Sequence, residues 1–214
     1  MATAQAVLTP TTNTTPAVVS IPAGELSGAQ WVARFPTSVQ VSDCVAPFQG
    51  NLTSFLNALQ AAGATVSIAA TLRPVERAYL MHWCWKIVNE GTNAQTIPAR
   101  PGVNILWAHT DAAGTYSDSL SVAAAQAMVN GYSMQNLGTA PALNSKHVQG
   151  LAVDMSISWA GELSITDASA AKVTIASSPR SGMNAELHTV GATYGVIKYN
   201  RSGTDRPHWS DTGN

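Results

Sequence analysis

Two histidines and two aspartates stand in this chain where one divalent ion could gather them. The first pair belongs to Asn144-Ser-Lys-His-Val-Gln-Gly-Leu-Ala-Val-Asp154, with His147 three residues before Gly150 and Asp154 seven residues after the histidine. The second belongs to Asp205-Arg-Pro-His-Trp209, in which Pro207 fixes the backbone immediately before His208. Two imidazoles and one carboxylate are the nitrogen and oxygen donors that zinc accepts, and a catalytic zinc keeps its fourth corner for water. Zinc lowers that water's pKa towards ~7 and polarises a carbonyl. A further carboxylate beside the water, but off the metal, can take its proton and hand it to a leaving amine. Asp205 suits that task, and a positive group is still wanted for the developing oxyanion.

These residues need elements to hold them. Leu151 to Ile157 alternates as a strand does, with Val153, Met155 and Ile157 on one face and Ala152, Asp154 and Ser156 on the other. A helix would also bring positions seven apart onto one face, but Gly150 and the β-branched content favour the strand. Pro207 predicts a rigid, edge-like segment around His208. Upstream, Leu52, Phe55, Leu56 and Leu59 predict a helix over Pro47 to Gly63, followed by a strand over Ala64 to Thr71. Pro74 falls where the first turn of a second helix would begin, running to about Glu90. Gly91 to Gly102 reads as loop, Ser121 to Val129 as a helix, Asn184 to Tyr194 as a helix closed by Gly195, and Val196 to Tyr199 as a short strand before a turn at Ser202-Gly203. Helices come mostly early and strands mostly late, which predicts an α+β fold.

The 214 residues are enough for one buried core. Residues 1–28, rich in Thr, Ala and Pro, read as an extended or mobile arm, and 29–214 as a single domain. Hydrophobic residues make up 45% and charged ones 11%, which excludes an intrinsically disordered chain. A net charge of −1 without Lys/Arg clusters excludes a basic footprint for nucleic acid. No apolar run reaches the ~20 residues of a membrane span, and Met1 to Ala23 has no recognisable signal peptide. Cys44 and Cys84 read as free and buried. His82, His109 and His188 lack partners at ligand spacing and read as surface or packed residues. Trp83, Trp85 and Trp107 read first as core, with a substrate groove as the alternative.

SKHVQGLAVD resembles the Ser-x-His-x-x-Gly-x-Ala-x-Asp motif of the M15 peptidases, the D-alanyl-D-alanine dipeptidases and carboxypeptidases and the L-alanyl-D-glutamate endopeptidases. DRPHW is similar to the Asp-x-Pro-His-aromatic ending of the endopeptidase branch. The resemblance covers roughly Ala64 to Ser210 and implies a small antiparallel sheet flanked by helices, the hedgehog/D-Ala-D-Ala peptidase-like fold. It also implies a zinc ion (Zn2+) on His147, Asp154 and His208, with Asp205 as general base and Ser145 as a polar contact to substrate. An arginine after an upstream strand would steady the substrate carbonyl; Ala70-Thr-Leu-Arg-Pro74 matches that context and marks Arg73, with Arg77 competing. The dipeptidase branch has Glu where this chain has Asp205, which points away from that branch. The implied partner is the peptidoglycan stem peptide, the implied place of action the cell wall, reached from a phage or by a non-standard export route.

Two other functions fit the same residues. A zinc-stabilised binding or structural module, part of a phage particle or secreted assembly, would hold metal without hydrolysis. A hydrolase of this fold could act on a different amide. Because ligand imidazoles must be neutral, the sequence also predicts inactivation below about pH 5.

Overall fold

Leu52, Phe55 and Leu59 line the buried face of helix α1 (Phe48–Ala61), and strand β2 (Thr65–Ala70) follows it. The computed structural model describes residues 24–199 and 205–214. Helix α2 (Val75–Glu90) begins after Pro74 at its N-cap and ends on Gly91 in the left-handed conformation. Helix α3 (Asp118–Gly131) packs against α2. Strand β1 (Glu25–Leu26) pairs in parallel with β3 (Ile105–Leu106), so the last residues assigned to the arm are docked onto the body. Strand β4 (Ala152–Ser158), the hairpin β5 (Leu163–Thr166) and β6 (Lys172–Ile175), helix α4 (Ala185–Thr193), β7 (Ile197–Lys198) and β8 (His208–Ser210) complete the chain. The fold is α+β, with a four-stranded antiparallel sheet in the order β2-β4-β8-β7.

Four features depart from the sequence-based expectations. The segment bearing His208 is not edge-like: β8 lies inside the sheet, bonded to β4 on one side and β7 on the other. Pro207 is tolerated because it precedes the strand and contributes only its carbonyl, which accepts from the Met155 amide at 3.0 Å. The β5–β6 hairpin was not anticipated, and a 3-10 turn at Ala94–Thr96 interrupts the 91–102 loop. Asp118 extends α3 one turn earlier than expected because Ser117 caps it, accepting from the Leu120 amide. The turn expected at Ser202-Gly203 lies outside the described residues.

One core fills the space between the sheet, α1, α4 and the β5–β6 hairpin, and includes Phe55, Val153, Met155, Leu163, Leu187 and Trp209. A second gathers α2, α3 and Trp31, and there Trp85 and Trp107 are buried. Trp83 is half-buried, edge-on to His82 at 4.9 Å. Cys44 and Cys84 are buried free thiols.

The first core sets the register that matters. Val153 lies opposite Trp209 and Asp154 opposite His208. Trp209 is fully buried, its ring 5.7 Å from Phe55 and 5.5 Å from His188 of α4. A one-residue slip of β8 would bring the imidazole inward and expose the tryptophan, so apolar burial specifies which polar groups meet on the other face. Helix α4 approaches Trp209 closely enough that a Cβ on Gly191 would stand 2.8 Å from the Trp209 ring and 2.8 Å from the Val196 carbonyl. Gly191→Ala is therefore expected to destabilise the fold by about 1–3 kcal/mol, the usual cost of overpacking, read as a lower urea midpoint at unchanged slope.

Candidate metal centre

His147 sits in a turn, not a strand. The Gln149 amide donates to the Ser145 carbonyl, Gly150 to His147, and Leu151 to Lys146, coiling the SKHVQG segment ahead of β4. Gly150 has φ +70, and a Cβ there would stand 2.8 Å from the Val45 side chain. Both conditions require glycine, and they dock the turn onto the chain just before α1. Asp154 projects from the polar face of β4, and His208 from β8 beside it.

The three donor atoms form a nearly equilateral triangle. His147 Nε2 lies 3.1 Å from Asp154 Oδ1 and 3.1 Å from His208 Nδ1, and His208 Nδ1 lies 3.1 Å from Asp154 Oδ1. Around a tetrahedral ion with zinc bonds of about 2.0–2.1 Å, neighbouring donors stand about 3.3 Å apart, so the triangle has the right size. Its chemistry fits as well. His147 Nδ1 is 2.7 Å from the Thr71 carbonyl, so that nitrogen carries the proton and Nε2 presents a lone pair. His208 Nε2 is 3.2 Å from Asn214 O, which by the same logic leaves the lone pair on Nδ1. Two lone pairs and a carboxylate oxygen then face one another with no donor among them. Such a cluster calls for a cation or an added proton. Two nitrogens among three donors favour zinc or a related transition metal over magnesium or calcium, which prefer oxygen.

The remaining candidates fall around the triangle. Asp205 is not part of it: Oδ2 comes within 3.9 Å of His208 Nδ1, and the side chain is half exposed. Arg73 leaves β2 two residues before α2, and its amide donates to the His147 carbonyl. Its side chain lines a cleft of about 630 Å³ together with Met81, Asn144, Ser145, Tyr199, Asp205 and His208. Burial lowers the Arg73 pKa, while the Asp154 and Asp205 carboxylates act to raise it. Arg77 is committed elsewhere, bonded to the Val32 carbonyl at 3.0 Å and stacked over Tyr132. Ser145 lines the cleft and its Oγ accepts from the Val148 amide at 3.4 Å, so it also braces the turn. His82, His109 and His188 are bonded to Pro141, Ser27 and Gly182, away from the triangle.

Sequence reasoning missed the groups that orient the two imidazoles. Thr71 is fully buried; its amide donates to Ser38 and its hydroxyl to Gln40, so the carbonyl that holds His147 is itself held. Tyr199 lies edge-on to His208 at 5.7 Å.

Electrostatics give the site a pH signature. Burial would raise the Asp154 pKa, but with the metal-free cluster protonated, hydrogen bonds and charge from His147 and His208 hold it well below its ordinary 3.8. Burial would lower the His208 pKa, but Asp154 outweighs it and the net shift is upward from 6.5. Asp154 therefore stabilises the fold above pH 3.8, an effect lost as pH falls through its depressed value. His208 stabilises it below pH 6.5, an effect lost as pH rises through its raised value. Chelator-treated protein is expected to hold a plateau in thermal midpoint between these limits and to decline at higher pH. Zinc competes with the His208 proton, so the midpoint gained on adding zinc is expected to shrink as the pH is lowered. A gain independent of pH would contradict a histidine-bound metal.

No protein-family model matches this chain, and no curated protein sequence does so. Among solved structures it is similar to a variant of the vancomycin resistance D,D-pentapeptidase VanY, from a VanB-type resistance cassette, in complex with Zn(II). The two are 16% identical over 83% of this chain and 80% of that one, with a TM-score of 0.34. A likeness of that size transfers no residue role, and the chemistry of the triangle rests on its own geometry.

Proposed function

We propose that this chain is a zinc-dependent peptidase that hydrolyses amide bonds in peptidoglycan stem peptides. The observation that carries the reading is the 3.1 Å triangle of three acceptor atoms, each imidazole turned to present its lone pair by a backbone oxygen. His147, Asp154 and His208 would hold the ion, which when bound supplies a Lewis acid that acidifies water and polarises a carbonyl. Asp205, beside the triangle but off it, takes the proton of the attacking water and delivers it to the leaving amine. Arg73 presents a permanent positive charge to the carbonyl oxygen from the cleft wall, within the fields of Asp154 and Asp205. Ser145 offers a hydroxyl at the same wall. The motif resemblance of SKHVQGLAVD and DRPHW supplies the substrate class.

The test is a pairing of metal analysis with digestion. Purified protein is expected to carry about one zinc per chain and to release new amino groups from cell-wall fragments, with the cut located by mass spectrometry of muropeptides. Zinc bound with fragments left intact would identify a non-catalytic module, and cleavage of some other amide would move the substrate class. No helix among the described residues is long and apolar enough to cross a membrane.

A further inference from the structure

Lys198 is a buried lysine that the chemistry above does not use. It stands in β7 opposite Trp209, with 4% of its surface exposed. An ammonium has three donors, and sealing it from water is costly unless each is satisfied. Here each finds a main-chain carbonyl: Tyr199 at 3.2 Å, Asp205 at 3.2 Å and His208 at 2.9 Å. The charge also lies 5.7 Å over the Trp209 ring. These carbonyls are not a random trio. Tyr199 and Asp205 are the residues on either side of positions 200–204, and His208 is a member of the triangle. The His208 carbonyl has a second donor, the Tyr199 amide at 3.1 Å, whereas among the described residues the Asp205 carbonyl is otherwise held by the His208 amide at 3.4 Å. With its side chain half exposed, Asp205 depends on its main chain for its place beside His208.

We propose that Lys198 is a positioning residue that clamps the Asp205 main chain, and so keeps the Asp205 carboxylate in reach of the water it deprotonates. The inference rests on the peptidase reading for its catalytic consequence, but the clamp itself is a property of the fold. An ångström of misplacement in a catalytic group can cost on the order of 100-fold. Lys198→Met keeps the stem and removes the three donors. It is expected to lower kcat by about 10–100-fold while KM and zinc content stay near wild type.

The decisive measurement is a double-mutant cycle with Asp205→Ala. If Lys198 works through Asp205, adding Lys198→Met to Asp205→Ala changes kcat less than about twofold. An undiminished loss in that background, or loss of zinc in Lys198→Met alone, overturns the proposal by showing that Lys198 acts through His208 or the fold at large. Lys198→Arg, which keeps charge and donors, is expected to recover most of the rate; Lys198→Gln enters the same cycle should the methionine variant not fold. Hydrogen exchange on metal-free protein gives a reading independent of activity. The His208 and Tyr199 amides are expected to exchange faster in Lys198→Met, with α1 unchanged, and unchanged protection at 199 and 208 overturns the clamp. A wild-type chain with no amidase activity would sink the peptidase reading, while the exchange result would still decide whether Lys198 holds Asp205.

Discussion

Replacing His147 with alanine is expected to abolish zinc binding at micromolar metal and reduce peptide hydrolysis to background. Outer partners that merely orient a ligand are worth 10–100-fold in metal affinity, and His147 is argued to be a ligand, so its loss should exceed about 100-fold. The reason lies in the triangle: with Nε2 gone, Asp154 Oδ1 and His208 Nδ1 remain 3.1 Å apart, a two-donor fragment that fixes neither geometry nor affinity. Thermal unfolding separates this from simple misfolding. A metal that binds only the folded state stabilises it by about 4 kcal/mol at a thousandfold excess over Kd, so wild-type protein should gain a large zinc-dependent midpoint shift. His147→Ala should lose that shift while its metal-free midpoint stays within a few degrees of the stripped wild type, because removing one of three mutually facing acceptors also removes repulsion. A variant that binds zinc as tightly as wild type would dissolve the proposed centre.

The three residues of the triangle stood out in the sequence by residue type and spacing, and the element under Asp154 by its periodicity. Val153, Met155 and Ile157 mark one face of β4, and Asp154 must then lie on the other. Leu52, Phe55 and Leu59 mark α1 in the same way, and Pro74 and Gly91 frame α2. What was illegible has a common physical cause: it depends on backbone atoms or on pairing between distant segments. The carbonyl of Thr71 and the oxygen of Asn214 choose the tautomers of His147 and His208, yet any residue supplies such an oxygen. Lys198 lies within the short strand expected over Val196 to Tyr199, and its burial follows only once β7 pairs with β8. Pro207 suggested an edge because proline lacks a donor, but the sheet asks only for its carbonyl. The β5–β6 hairpin is a different case. Leu163 and Ile165 alternate across a turn from Val173 and Ile175, a pattern present in the chain but shorter than the runs around it. Arg73 was marked by its place after the upstream strand, with Arg77 competing; the structure gives Arg77 to Val32 and Tyr132 and Arg73 to the cleft.

Asp205 is where enzyme and inert metal module diverge. Asp205→Ala is expected to retain its zinc and lose about 10²–10⁴-fold in kcat, the span a positioned general base contributes. Zinc is retained because no side of the triangle involves Asp205; its nearest approach is 3.9 Å to His208 Nδ1. Asp205→Asn sharpens the point, since the amide matches the carboxylate in shape but cannot accept a proton. A loss in Asn equal to that in Ala assigns the effect to proton transfer, whereas a near-normal Asn variant assigns it to packing or hydrogen bonding. Asp205→Glu keeps the base on a longer arm and should recover part of the rate, because the carboxyl is half exposed and has room to move. Were Asp205→Ala to hydrolyse cell-wall fragments at the wild-type rate, the base would have to be another group. Among the described residues the cleft lining contains Asp205 alone of the acidic side chains, and Asp154 belongs to the triangle itself.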